Sequence, residues 1–319
     1  MISCTEFIPL YSEFFKYLEA RGGHDAVLTY WYYISDNSIG DKTNPHSLIS
    51  FIERDADGPL QGAMKYWDHT LTEEACDVLK VKDFNRPSCY SHMRHCPSRG
   101  MLNDLKHIEP YYDYCGHCDV IYQRVLEKYG VIHKMDLSKI DNAECFGYLY
   151  MEGDEPDERM RSIDETKTVV DMRADDNKYL HRDFHLSGDL ALKYCGEMFG
   201  DGEVIGFLRE FTKNYYSPQI ERIKREGLPA FKEWIEKTYE VEESSHLIKT
   251  ELSDGLLTVT VDRCPVIEYM RSLNQEPSKY YVEETRTVYG TVAEECGYGF
   301  TLEYYREDGG ARFTFSQAR

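Results

Sequence analysis

The chain has 319 residues, 41% of them hydrophobic, and a mean hydropathy of −0.58; this is ordinary for a globular protein and long enough for two domains or one duplicated domain. Lys and Arg number 37 against 57 Asp and Glu, a formal charge of −20 at pH 7. A surface this acidic repels phosphate backbones and anionic headgroups, which argues against nucleic-acid and membrane partners, and no apolar run approaches the roughly 20 residues that span a bilayer.

The opening stretch, MISCTEFIPLYSEFFKYLEARGG, sets Phe, Leu and Tyr between Glu and Lys at helical intervals. That predicts a helix and not a signal peptide, hence an intracellular, cytoplasmic protein. In a reducing compartment the ten cysteines are expected to be free thiols, metal ligands or nucleophiles, not disulfides. Period-2 runs over 75–83 and 88–96 predict a hairpin, 97–105 and 116–129 predict helices, and 131–137 with 145–151 predict a second hairpin. The stretch 153–186 opens with GDEPDERMRSIDETKT, acidic and turn-rich, and reads as a linker. Beyond it, apolar spacing predicts helices over 189–214 and 217–239. Alternation from Leu247 to Cys264 flanks Ser253-Asp254-Gly255, a hairpin turn. Pro265 opens a short helix, 281–296 is a longer one closed by Gly297, and 299–317 is a hairpin turning at Asp308-Gly309-Gly310.

The two halves resemble each other in register. Ile52-Glu53-Arg54, Gly58-Pro59-Leu60 and Lys65 to Thr70 around Trp67 recur as Ile220-Glu221-Arg222, Gly227-Leu228-Pro229 and Lys232 to Thr238 around Trp234. His95-Cys96-Pro97 recurs as Arg263-Cys264-Pro265, and Tyr129-Gly130 as Cys296-Gly297. The expected fold is therefore α+β: two tandem copies of a helical segment plus a four-stranded antiparallel sheet, ββααββ, over 1–152 and 187–319, joined by the acidic linker 153–186.

Reactive side chains concentrate between Cys89 and Cys118, CYSHMRHCPSRGMLNDLKHIEPYYDYCGHC, which holds four of the ten cysteines and four of the eleven histidines. The later copy keeps Cys96 as Cys264 but has nothing matching Cys115, His117 and Cys118, and Cys145 faces the neighbourhood of Arg312. A fold that stands without these residues in one copy does not need them for folding in the other. Two chemistries stay open. Cys115 and Cys118, a CxxC at a helix start, could join His95 and Cys145 in a site for zinc or another transition metal. Alternatively Cys115 or Cys118 is a nucleophile, with His95 or His117 carrying the proton and Asp119 orienting or acting as general base. Because neighbours on a helix do not face each other, His117 is not assumed to serve Cys118. His181 and His185 stand at i, i+4 like a metal pair, but read as a solvated capping segment. A redox dithiol is disfavoured, since the βαβ setting of such motifs is missing.

A strand ending in Cys96-Pro97, a short helix, Cys115 with Asp119 four residues on, a helix ending in Gly130, and a hairpin with the late Cys145 together resemble the L-2-amino-thiazoline-4-carboxylic acid hydrolase family. The resemblance covers 63–151 and, without most of the cysteines, 232–315. It implies small α+β domains and the opening of a cyclic C–N or C–S bond. The expectation is a hydrolase of a small, cyclic C–N bond with a small-molecule substrate. The rival is a non-catalytic metal- or small-ligand-binding module.

Overall fold

The computed structural model describes residues 1–317. In chain order the elements are α1 (Phe7–Ile34), α2 (Leu48–Arg54), α3 (Pro59–Glu73), β1 (Asp77–Asp83), β2 (Ser88–His95), α4 (Pro97–Asp104), α5 (Gly116–Leu126), β3 (Val131–Asp136), β4 (Cys145–Met151), α6 (Glu158–Arg161) and β5 (Thr168–Met172). There follow α7 (Phe184–Phe199), α8 (Asp201–Tyr215), α9 (Ser217–Glu226), α10 (Leu228–Val241), β6 (Ile248–Ser253), β7 (Leu256–Val261), α11 (Pro265–Ser272), α12 (Tyr289–Glu295), β8 (Tyr298–Tyr305) and β9 (Ala311–Gln317). No described helix is long and apolar enough to cross a membrane. The chain forms two compact units.

The first unit comprises Leu18–Lys106 and Pro110–His181. Its sheet is antiparallel in the order β3-β4-β2-β1-β5. One face buries Val81, Tyr90, Tyr148 and Tyr150 under Met160 of α6. Toward the other lie Val78 and Cys76, packed with Leu71 and Trp67 of α3. Helices α2 and α3 meet at Gly62, where a Cβ would stand 2.6 Å from the Cα of Ile52, so only glycine permits that approach. The stretch expected to be a linker contributes α6 and β5, and β5 pairs with β1 from Val78↔Met172 to Lys82↔Thr168. Its TVVDM text is half exposed on an edge, and edge pairing uses backbone groups, which leave little apolar signature in the sequence.

The second unit comprises Met1–Tyr17, His107–Glu109 and the chain from Arg182 onward. Its sheet is antiparallel in the order β6-β7-β9-β8. The opening residues pack here because their aromatic stripe stacks on the later helices, Phe7 against Phe184 with ring centroids 4.7 Å apart and Phe14 against Phe207 at 5.0 Å. Periodicity revealed that stripe but not its partner. Phe231, Phe313, Phe315 and Tyr289 fill the space between α10, α12 and the sheet.

The strand orders β1-β2-β4-β3 and β6-β7-β9-β8 are the same in sequence terms, with β5 added at one edge. Each unit also carries a Cys-Pro at the same place. Cys96 and Cys264 are extended N-caps of α4 and α11, each followed by proline at the first helical position. The Cys96 N–H donates to the Ala143 carbonyl at 2.7 Å, and the Cys264 N–H to the Asp308 carbonyl at 2.8 Å, so both tie down the loop of the last hairpin. Next to Asp308, Gly309 has φ 74°, and a Cβ there would lie 2.2 Å from that of Cys264.

Candidate active site

Four thiols of the first unit come from three directions. Cys96 caps α4 after β2, Cys145 begins β4, and Cys115 and Cys118 stand at the start of α5. No disulfide joins them; all are free. Burial, and then the charge its neighbours Cys115, Cys96 and Cys145 would carry, holds the Cys118 thiol well above the usual range. Burial pushes Cys96 up in spite of the Arg99 N–H, Cys145 up to about 12, and Cys115 up to about 11 against the pull of Arg99. These groups are therefore neutral thiols at pH 7. Among the described residues, no group of three ligand atoms mutually within 4.8 Å includes a thiol.

The expectation that His117 does not face Cys118 gives way to a specific contact. The Nδ1 of His117 is hydrogen-bonded to the Tyr114 carbonyl one turn back, and its Nε2 lies 3.6 Å from the Sγ of Cys118. A carbonyl only accepts, so Nδ1 carries the proton and Nε2 offers its lone pair to the thiol. Burial holds the His117 imidazole down to about 4, so it is neutral at pH 7. Trp31 and Tyr114 flank the ring, with centroids 6.4 and 4.9 Å away. Thiol, imidazole and carbonyl thus form one chain of contacts, the order of groups that a nucleophile, its base and an orienting group would need.

The other expected site residues lie elsewhere. His95 is exposed at the end of β2, its ring against Gly100, where a Cβ would be 2.5 Å from Nε2. Asp119 faces β3: its Oδ1 is 3.9 Å from Nδ1 of His133, and neither buried atom has a hydrogen-bond partner. His181 and His185 do not act as a pair. His181 Nδ1 bonds Glu73 at 2.8 Å, while His185 Nε2 bonds Glu242 at 3.1 Å.

Two further residues of this unit, Glu74 beside the thiols and His133 under α3 and α5, are not legible in the sequence. Glu74, just past α3, is half-buried; burial raises its carboxyl, which takes a hydrogen bond from Ser98 and is close enough to act on Cys96, Cys118 and Tyr122. A glutamate at a helix end is bland in sequence, and only the fold turns this one inward. The His133 ring is buried between Trp67 and Tyr122, at centroid distances of 5.1 and 6.0 Å, while its backbone N–H donates to Gln123 Oε1 at 2.7 Å. Burial holds His133 down to about 4 against about 6.5 in an unfolded chain. Between those values the unfolded state binds a proton that the native state does not, so acid destabilises the fold through this group. Relative to His133→Gln, the wild-type chain is expected to lose roughly 2–3 kcal/mol of stability between pH 7 and pH 4.5, read by urea unfolding of both proteins; parallel pH profiles would refute it.

Compared with family models, with curated proteins and with solved structures, the chain matches none.

Proposed function

We propose that the first unit is a hydrolase of a small, cyclic C–N bond, with Cys118 as nucleophile and His117 as its base. The observation that carries this reading is the chain from Cys118 Sγ through the His117 ring to the Tyr114 carbonyl, which fixes the basic nitrogen on the thiol. As sulfur attacks the ring carbon bonded to nitrogen, Nε2 takes the thiol proton. The imidazolium then protonates the departing ring nitrogen, the C–N bond breaks, and the carbon stays bound to sulfur. Water, deprotonated by the same Nε2, attacks that carbon; the C–S bond to the enzyme breaks and the thiol regains its proton. The net change is consumption of one water and opening of one ring. Tyr122 and the raised Glu74 carboxyl supply polar groups beside the thiol for a heteroatom-rich substrate. In the same reading the two units derive from one ββααββ repeat, supported by their equal strand orders and matching Cys-Pro caps. The earlier repeat alone then keeps the working thiols.

The test is acid-quenched intact-mass and peptide analysis of the protein incubated with 2-amino-thiazoline-4-carboxylate and related cyclic amidines. The expected result is ring opening with a transient adduct on the Cys118 peptide, absent in Cys118→Ala. Turnover that survives Cys115→Ala with Cys118→Ala would end the proposal. Stoichiometric zinc lost in Cys115→Ser would turn these thiols into ligands and remove the nucleophile.

A further inference from the structure

The sheet of the first unit has a second face, away from the thiols. Cys145 of β4 alternates with Phe146 and Tyr148, and successive side chains leave a strand on opposite sides. Cys145 pairs with Met93, which packs toward α3, whereas Tyr148 packs with Tyr90 under α6. On the α6 side, between β3, Tyr148 and the start of α6, lies a cavity of about 370 Å³. Arg161 lines it from α6. Its guanidinium carbon is 5.4 Å from the centroid of the Tyr148 ring and 5.6 Å from that of Tyr90, and it donates to the Tyr148 hydroxyl. Lys134 lines it from β3, directly across the ladder from Tyr148. The segment leading into α6 is held firmly. Arg86 of the β1–β2 turn bonds Asp154 at 3.1 Å and Asp157 at 3.4 Å, while Met160, 4% exposed, anchors the helix on the tyrosines.

The charges around this cavity are unevenly matched. The chain has 57 acids for 37 cations, so a carboxylate partner is seldom lacking. Yet among the described residues neither Arg161 nor Lys134 forms an ion pair. The acids beside them are engaged elsewhere. Asp157 caps α6 by accepting the Arg159 N–H at 2.9 Å, and its second oxygen takes the Arg159 side chain at 2.8 Å. Asp136 accepts the Ser138 N–H at 3.0 Å and acts on Arg161 only through space. Glu158 is exposed.

We propose that this cavity binds a small organic monoanion, its carboxylate held by Arg161 with Lys134 beside it. One N–H of the guanidinium is used on Tyr148, and the rest of its planar fork matches the two oxygens of a carboxylate. The tyrosine rings fix the plane of that fork before a ligand arrives. Asp136, Asp157 and Glu158 around the cavity would repel the second charge of a phosphate dianion, so a single charge fits better. Pro156 and the Tyr148 ring give an apolar wall for the body of the ligand. The volume lies at the small end of ligand pockets, which run from about 300 to 1,000 Å³. The site is independent of the chemistry of Cys118, which lies beyond the other face of the sheet.

Titration of the full chain with phenylacetate, followed by backbone amide NMR, tests this. One site is expected, with a Kd of about 1 mM or tighter, ordinary for an anion of about ten non-hydrogen atoms. The amides of 134–136 and 157–161 should shift saturably while those of Cys115 and Cys118 stay in place. Arg161→Gln should weaken binding about 10–100-fold, as loss of a charge-assisted hydrogen bond does, and Arg161→Lys should recover part of it. Lys134→Gln, an exposed strand position whose change leaves the fold intact, should weaken binding about 2–5-fold. Cys115→Ser with Cys118→Ala should bind as the wild type does. The proposal is overturned if no saturable shift appears below about 10 mM, or if neutral phenylacetamide binds as well as phenylacetate. Tighter binding of inorganic phosphate would overturn it too, as would undiminished binding in both Arg161→Gln and Lys134→Gln.

Discussion

On the proposed ring-opening mechanism, Cys118→Ala, His117→Ala and the double variant are expected to fall by the same factor in kcat/KM, about 1,000-fold or more. Equal losses follow because the thiol is useless without a base and the base has no other proton to take. The resting site sharpens the expectation. Burial keeps the Cys118 thiol protonated and holds His117 down to about 4, so no thiolate–imidazolium pair exists at pH 7. Attack must proceed with proton transfer to Nε2, as an alcohol nucleophile does. Nε2 accepts only while the ring is neutral, so kcat/KM should stay level on acidification until about pH 4 and then fall. An acid limb at the ordinary histidine value of about 6.5 would contradict the buried neutral ring. Additive losses in the double variant would show that the two residues work apart.

The strands were readable in sequence because they alternate between turns with an evident chemistry; Asp254 and Gly255, at φ 47° and 75°, occupy the left-handed positions such a turn requires. The Cys96 and Cys264 caps were legible as a recurring Cys-Pro. What escaped notice was set by contacts between elements. β5 joins an edge through backbone bonds and so carries no apolar stripe. His117 meets its own neighbour only because its ring folds back to the Tyr114 carbonyl, an orientation that the spacing of residues on a helix does not describe. His133 and Glu74 acquire meaning from α3 and α5 packing over the sheet. His181 and His185 were expected to form a solvated capping segment, and instead both are buried against carboxylates, His181 on Glu73 and His185 on Glu242, with α7 beginning at Phe184 between them; burial of that kind is set by contacts that residue spacing does not describe.

Asp68→Ala is expected to destabilise the first unit by about 3 kcal/mol. Lys80 and Lys82 alternate with Val81 on β1, so their side chains leave the sheet on the face toward α3. Both ammonium groups bond the two oxygens of Asp68, and both lysines are buried, with 2% and 9% of the side chain exposed. Removing the carboxylate strands two positive charges in a poorly solvated place, for which losses of about 3–5 kcal/mol are usual. Asp68 itself is 39% exposed, which admits some water and favours the lower end. The variant carries its own diagnostic. The deficit against the wild type is read by urea unfolding of both proteins. Adding Lys80→Met, which fills the same volume without charge, should restore part of the loss at neutral pH. A deficit that Lys80→Met deepens would mean that Asp68 contributes packing and not charge.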